Sequence, residues 1–371
     1  MHVPFLDLKA LHADLREEIL EAMERVLDSG TYILGNEVHR FEEKFGDWVS
    51  AGSLVVGCAN GTDAIFLAAK ALRLSPGSEA IVPAMTYVAT VSALLHAGLR
   101  VRLVDVSPGT WLMSPELAAA AVGARTELLV PVHLYGQMAP MDAFRKIADE
   151  RNVKILEDAS QAHGASWKGR AVGEYGDLAT YSFYPGKNLG ALGDAGAILT
   201  RNPMLANQCA HLRNHGGIQK FQHETPGFNS RLDPLQAAIL TVKLRHLTEW
   251  NEGRRRCAEK YFEALGGIAG LELPVVANEA KHVFHLFVVL TEDRDKLAAY
   301  LKNRGIETGI HYPRAIHQQA AFSSEEFAAK RFPQAERVAA HGLSLPMDPH
   351  LTDEKMAYVV NAIRDYFGKG H

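Results

Sequence analysis

An α/β fold with a parallel sheet and a second, smaller unit is predicted by three observations. Short apolar runs alternate with helical stretches from residue 54 to residue 158. The runs end in glycine or polar turns and show no polar face, the pattern of strands buried on both sides. The chain has 371 residues, more than one ordinary domain at roughly 150 residues each. Strand–helix–strand alternation builds a parallel sheet through right-handed crossovers.

The elements follow in order. From Leu8 to Val26 the apolar positions Leu11, Leu15, Ile19, Met23 and Val26 recur at helical spacing, and Gly30 fits the stop. Val38, Phe41, Phe45 and Trp48 mark a second short helix. Strands are expected at LVVGC (54–58), AIVP (80–83), VRLVDV (101–106), LLVPVHL (128–134) and VKILED (153–158), with helices at 62–73, 87–97, 114–122 and 140–151. Two further strands are expected at LATYSF (178–183) and GAILT (196–200). A helix at 232–248 leads to Arg254, Arg255 and Arg256, which read as a solvated helix face. The run VFHLFVVL (283–290) and helices at 294–304 and 352–367 complete the chain. No linker of low complexity appears. A large domain over 1–248 and a small one over 249–371 are therefore expected to join through a continuous helix.

Composition excludes several classes. Apolar residues make up 47% and charged residues 22%, an ordinary globular balance. With 39 Lys plus Arg against 43 Asp plus Glu, the net charge of −4 gives no bulk polybasic surface for nucleic acid. Charges at Asp7, Lys9, Asp14 and Arg16 interrupt any N-terminal apolar stretch, so no secretory signal is read. No window approaches ~18 uninterrupted apolar residues, so no membrane span is expected. The three cysteines, Cys58, Cys209 and Cys257, form no CxxC pair and fit a reduced, cytoplasmic setting. Seventeen histidines invite a metal reading. His211 with His215, and His282 with His285, have helical spacings but no HExxH carboxylate, so no metal is expected.

Ligands in parallel α/β sheets sit beyond the carboxyl ends of the strands, and four segments lie there. Cys58-Ala59-Asn60-Gly61-Thr62-Asp63-Ala64 offers glycine and a helix N-terminus, which suit a phosphate, although Asn60 or Thr62 also fits a helix cap. Glu157-Asp158-Ala159-Ser160-Gln161 ends an interior strand in acid, which is costly unless paired, and a cationic ring nitrogen would be a partner. A capping aspartate explains it equally. Tyr181-Ser182-Phe183-Tyr184-Pro185-Gly186-Lys187 places a lysine after a strand, 29 residues beyond Asp158. Burial would make its amine nucleophilic, and Ser182 could donate to a phosphate. Tyr87, after PAMT, could stack on a planar ring or sit in the core. Pyridoxal phosphate needs this set together: a lysine, an acid for the ring nitrogen and a phosphate cradle.

The stretches NGTDA, PAMTYVAT, VPVHLYGQ, ILEDASQAHGA, YSFYPGKNLGALGDAGAI and GFNSRLDPLQAAIL, in this order, resemble the DegT/DnrJ/EryC1/StrS family of sugar aminotransferases. The similarity runs from GTYILGNEV near residue 30 to IHYP at 310–313. The resemblance implies the aspartate aminotransferase fold (fold type I), with a mostly parallel seven-stranded sheet, a smaller C-terminal α/β domain, and a homodimer with shared active sites. It implies Lys187 as the Schiff-base lysine and Asp158 as the partner of the pyridine nitrogen. Gly61 and Thr62 match the phosphate turn, Ser182 adds a hydroxyl, Tyr87 stacks on the ring and Gln161 lies beside the cofactor. Asn229 matches the asparagine that reaches the neighbouring subunit's phosphate.

The resemblance further implies transfer of nitrogen from L-glutamate to the cofactor, and from pyridoxamine phosphate to a nucleotide-linked keto-sugar. Tyr184, His311, Tyr312 and Lys220 become candidates for the sugar diphosphate. YPGKNLGALGDAGA is most similar to relatives acting at C3 of a dTDP-linked 3-keto-6-deoxyhexose. Amination at C4 of a dTDP-, UDP- or GDP-4-keto-sugar is the alternative, since those relatives share most motifs. Lysine at 187 speaks against the related dehydratases, which carry histidine there. No cysteine suits a desulfurase. A non-catalytic regulator on this fold would be expected to lose the lysine or the acid, and both are present.

Overall fold

The computed structural model describes residues 1–219 and 221–368. Helices α1 (Leu8–Ala13), α2 (Arg16–Ser29) and α3 (Asn36–Val49) come first. The helix expected over Leu8–Val26 is thus two, because the chain turns at Asp14–Leu15, where Leu15 takes φ −103 and ψ 4. Both pieces keep their apolar stripe. Leu11, Leu15, Ile19, Ala22 and Val26 form one cluster with Ala238, Ile239, Val242 and Trp250. Gly30 ends α2 at φ 62, the left-handed conformation for which glycine has no penalty.

Then the alternation begins: β1 (Leu54–Cys58), α4 (Gly61–Ala71), β2 (Glu79–Pro83), α5 (Val88–His96), β3 (Arg100–Val104), α6 (Pro115–Ala121), β4 (Thr126–Leu129), α7 (Met141–Arg151), β5 (Lys154–Asp158). Short strands β6 (Ser166–Trp167) and β7 (Arg170–Ala171) precede β8 (Leu178–Ser182), β9 (Gly196–Thr200) and α8 (Pro203–Leu212). Seven of these strands make one sheet in the order β1-β9-β8-β5-β4-β2-β3. Only β9 runs against its neighbours, β1 and β8.

Alternate strand residues feed two cores, one on each face. Ala80, Val82, Leu128, Leu156 and Ile198 pack with α4 and α5. Ile81, Leu129, Ile155, Ala197 and Leu199 pack with α3 and α7. That double burial is why these strands read as continuous apolar runs. The strand expected over 128–134 stops at Leu129, because Pro131 has no N–H to give and only its carbonyl pairs, with Asp158 N at 3.0 Å.

The rest of the chain is α9 (Pro234–Leu244), α10 (Leu247–Leu265), β10 (Ala280–Lys281), β11 (Phe287–Leu290), α11 (Arg294–Lys302), α12 (Pro333–His341), β12 (Gly342–Leu345) and α13 (Asp353–Gly368). β11 and β12 pair antiparallel and share a core with α10, α11 and α13. Val3 bridges to Ile306 beside this core, and Asp7 N donates to Asp348 Oδ2 at 2.8 Å.

Three expectations are corrected here. The helix expected over 232–248 breaks at Arg245 and His246, whose N–H groups bond three residues back, at 3.3 and 3.0 Å, before α10 restarts. Arg254 is not on a solvated face. It is 3% exposed, and its Nη1 donates to the carbonyls of Phe284, His285 and Met347 at 3.3, 3.2 and 3.0 Å. The strand expected over 283–290 begins only at Phe287, because Val283 N and Leu286 N are taken by the carbonyls of Gly136 and Tyr135.

Among the described residues no helix is long and apolar enough to cross a membrane. No group of three or more His, Cys, Asp or Glu among them could hold a metal ion. The three cysteines are free and buried.

Candidate active site

The site forms where the ends of β1, β2, β5 and β8 open towards the β11–β12 unit. At the end of β1, the Asn60 side chain caps α4 by accepting from Asp63 N at 2.8 Å. Gly61 and Thr62 follow as the first helical residues, whose N–H groups have no acceptor within the helix. A Cβ on Gly61 would lie 2.6 Å from the Ser182 Cβ and 3.1 Å from its Oγ. Glycine therefore brings the helix start directly onto the Ser182 hydroxyl at the end of β8. This concave corner of N–H groups and hydroxyls suits a phosphate.

Asp158 ends β5 and is 4% exposed. Its Oδ2 accepts from the Thr90 hydroxyl at 2.7 Å, its Oδ1 from Ser160 N at 3.1 Å. Thr86 lies 2.9 Å behind Thr90. Its neighbour Glu157 points to the other side of the strand. There it meets the His133 Nε2 at 2.9 Å and accepts from Gly173 N and Gly176 N. His133 Nδ1 accepts from Ala139 N at 3.2 Å, so Nε2 carries the proton. One strand end thus holds a structural acid and a site acid, separated by the period-two alternation.

Lys187 follows β8 in a turn closed by its N–H to Tyr184 O at 2.8 Å. Burial pushes its amine down to about 8, and the Asp158 charge works in the opposite direction. Asn188, 3% exposed, fixes the next residue by donating to Asn251 Oδ1 at 2.8 Å and Val283 O at 3.0 Å. Three imidazoles near the lysine are held neutral, first by burial and then by the Lys187 charge. His163 is pushed down to about 3, His311 to about 4, and His285 well below the usual value.

Gln161 links the two units. Its Oε1 accepts from Tyr135 N at 2.6 Å, and its Nε2 donates to the Tyr312 hydroxyl at 3.0 Å. Tyr135, at φ 60, donates its hydroxyl to His311 O. Tyr87 is 53% exposed, and its ring centroid lies 5.2 Å from that of Tyr312. Burial and then the Asp158 charge raise the Tyr312 phenol. His311 Nδ1 meets Ser344 Oγ at 2.8 Å, and its ring stacks on Phe5 at 5.7 Å.

The structure therefore brings Gly61, Thr62, Ser182, Lys187, Asp158, Gln161, Tyr87, His311 and Tyr312 into one region. Tyr184, 60% exposed, flanks the lysine turn. Asn229 is exposed and bridges to Asn214, and the next residue, Ser230, accepts from Ala59 N at 3.3 Å and donates to Asp63 Oδ2 at 2.7 Å beside the Asn60–Thr62 turn. Lys220 lies outside the described residues. Sequence reasoning missed Thr90, Tyr135, Asn188 and Asn251. Thr90 stands one helical turn after Thr86, a spacing that could have marked the pair.

Taken as a donor set, a partly buried amine, a buried carboxylate with two donors and a glycine-built corner fit pyridoxal phosphate. A model of the DegT/DnrJ/EryC1/StrS aminotransferase family matches residues 13–364, and the chain belongs to that family of pyridoxal phosphate-dependent aminotransferases. It is similar to the dTDP-3-amino-3,4,6-trideoxy-alpha-D-glucose transaminase of Streptomyces venezuelae, 45% identical over 364 residues, covering 98% of this chain and 96% of that one. The solved S. venezuelae DesV in complex with a ketimine intermediate superposes with a TM-score of 0.96 at 45% identity, over 99% of this chain and 98% of that one. NtdA from Bacillus subtilis, solved with bound cofactor PMP, gives 0.91 at 32% identity, over 99% and 85%.

Proposed function

We propose that this aminotransferase moves the amino group of L-glutamate to C3 of a dTDP-3-keto-6-deoxyhexose. The observation that carries the chemistry is the Lys187 amine, pushed down to about 8 beside the buried Asp158. The choice of sugar is supported by the likeness to the S. venezuelae transaminase.

Pyridoxal phosphate, when bound, supplies the carbonyl that takes up nitrogen and the ring that accepts electrons. Lys187 holds and returns the proton at the substrate carbon, which needs an amine whose pKa lies near the working pH, and burial brings it down to about 8. Asp158 would pair with the ring nitrogen, and the Thr90 and Ser160 donors orient its carboxylate for that. Gly61, Thr62 and Ser182 hold the phosphate. Tyr87 would stack on the cofactor ring, and Gln161, tied to the Tyr312 hydroxyl, would lie beside it. Tyr184, His311, Tyr312 and Lys220 meet the sugar nucleotide. His311, held neutral, does so as a hydrogen-bonding group rather than as a cation.

The working unit in this reading is a cytoplasmic homodimer, with Asn229 reaching the neighbouring subunit's phosphate. Residues 1–248 carry the cofactor, and 249–371 close over it. Spacing sets the regiochemistry. Moving the reacting carbon by one ring position shifts it by ~1.5 Å, and misplacement by ~1 Å can cost ~100-fold in rate. A panel of dTDP-, UDP- and GDP-linked keto-sugars assayed with glutamate, with product NMR, tests this. Amination at C3 of the dTDP substrate is expected. Preferential amination at C4 would refute the sugar assignment and leave the aminotransferase intact.

A further inference from the structure

Lys243 is fully buried in α9, yet none of the chemistry above uses it. Its ammonium donates to the carbonyl of Gly190 and meets His12 Nε2 at 3.0 Å. Burial pushes the amine down to about 8, and burial together with the Lys243 charge pushes His12 down to about 4. The imidazole is therefore a neutral acceptor. Burying a cation against neutral acceptors is costly, and an apolar side chain of similar volume would often do as well for stability.

What Lys243 touches suggests why a cation stands there. Gly190 closes the turn that carries Lys187. A Cβ there would lie 2.2 Å from Pro185 O, so the two ends of the turn meet without side-chain space between them. Seven residues before Lys243, two turns along the same helix face, Gln236 Oε1 accepts from Leu192 N at 2.8 Å. One face of α9 thus holds both Gly190 and Leu192. Lys187 stands inside this turn, which its own N–H closes onto Tyr184 O at 2.8 Å and Ala191 N closes onto Phe183 O at 2.7 Å, so the turn sets the direction in which its side chain leaves the backbone.

We propose that Lys243 is a positioning residue for Lys187: its ammonium, braced by His12, clamps the Gly190 carbonyl and fixes the turn over residues 184–193. This rests on Lys187 being the reactive lysine. The test is Lys243→Met, with Lys243→Gln as a second variant that keeps a neutral donor. In the cofactor-free chain, amide exchange at Lys187, Ala191 and Leu192 should rise ~10-fold or more in Lys243→Met, with β2 unchanged. In the loaded enzyme kcat should fall by ~10-fold or more, with KM for both substrates within ~3-fold. Lys243→Gln should lie between Met and wild type in both readouts. Wild-type exchange and kcat in a folded Met variant would overturn the proposal. So would a uniform rise in exchange across the molecule, or failure of both variants to fold, since Lys243 would then serve general stability. An inactive wild-type chain would instead sink the reading of Lys187, while the exchange measurement still reports the clamp.

Discussion

The Thr90 hydroxyl donates to Asp158 Oδ2 at 2.7 Å, which ties the first turn of α5 to the end of β5. A hydrogen bond to a carboxylate is worth ~1.5–3 kcal/mol. Thr90→Val keeps the shape and removes the donor. Turnover is expected to fall by roughly tenfold, in line with a loss of ~1.4 kcal/mol in transition-state stabilisation. Steady-state kinetics on a variant with unchanged circular dichroism would check this. Wild-type turnover would show that Ser160 N alone orients the acid.

The lysine makes a prediction in pH. Its amine is pushed down to about 8, so it is protonated and unreactive below that value and neutral above it. In the cofactor-free chain, labelling of Lys187 by a small amine reagent should rise through pH ~8, against ~10.4 for an ordinary lysine. The same shift links to folding. A depressed lysine pKa disfavours the native state at low pH, and that penalty fades as pH rises through 8 towards 10.4. Peptide mapping separates Lys187 from Lys243, which is buried from the reagent. A midpoint near 10 would contradict the burial of the amine.

Gly61→Ala should weaken cofactor binding by ~10-fold or more, equivalent to at least ~1.4 kcal/mol. The added methyl would stand 2.6 Å from the Ser182 Cβ. Alanine is the better helix former by ~0.5–1 kcal/mol, so helix propensity would not cause the loss. Titration of the cofactor-free chain, followed by absorbance, measures it. Adding Ser182→Gly should restore room and part of the affinity, whereas Ser182→Ala, which keeps the Cβ, should not.

Asn229 is exposed in the single chain. Mixing inactive Lys187→Ala and Asn229→Ala chains should return activity, because one composite site per mixed dimer would be intact. The experiment uses an Asn229→Ala chain shown to be severely impaired alone, and subunits shown to exchange. No recovered activity under those conditions would remove the subunit-crossing role.

The strand ends and the turns after them were legible in the sequence because each combines an apolar run with a local signal. Asn60-Gly61 announced a helix start, and Asp158 and Lys187 each followed a run buried on both faces. Features made by distant segments were not legible. Arg254 follows Trp250 by four residues and precedes Cys257, Ala258 and Tyr261 on the buried face of α10, yet a triple-arginine run reads as solvated. The carbonyls that receive it come from Phe284, His285 and Met347. Val283 and Leu286 sit in a strand-like run, but a loop more than 140 residues earlier takes their N–H groups. The Thr90–Asp158 bond spans 68 residues and leaves no local pattern.

The tie of Val3 to Ile306 and of Asp7 to Asp348 sets an order of assembly. These residues are made some three hundred residues before their partners. The next segments, α1 and α2, must also wait for α9, against which they pack. The seven-stranded sheet lies between them in the sequence and can pair its strands while both ends are still loose. Domains generally fold from the N-terminal side during synthesis, whereas here Val3 and Asp7 would dock after the strands that follow them. Contacts at such separation slow folding because a long loop must close before they form. Once formed, they leave residues 3–26 as a late fastening between α9 and the unit of β11 and β12.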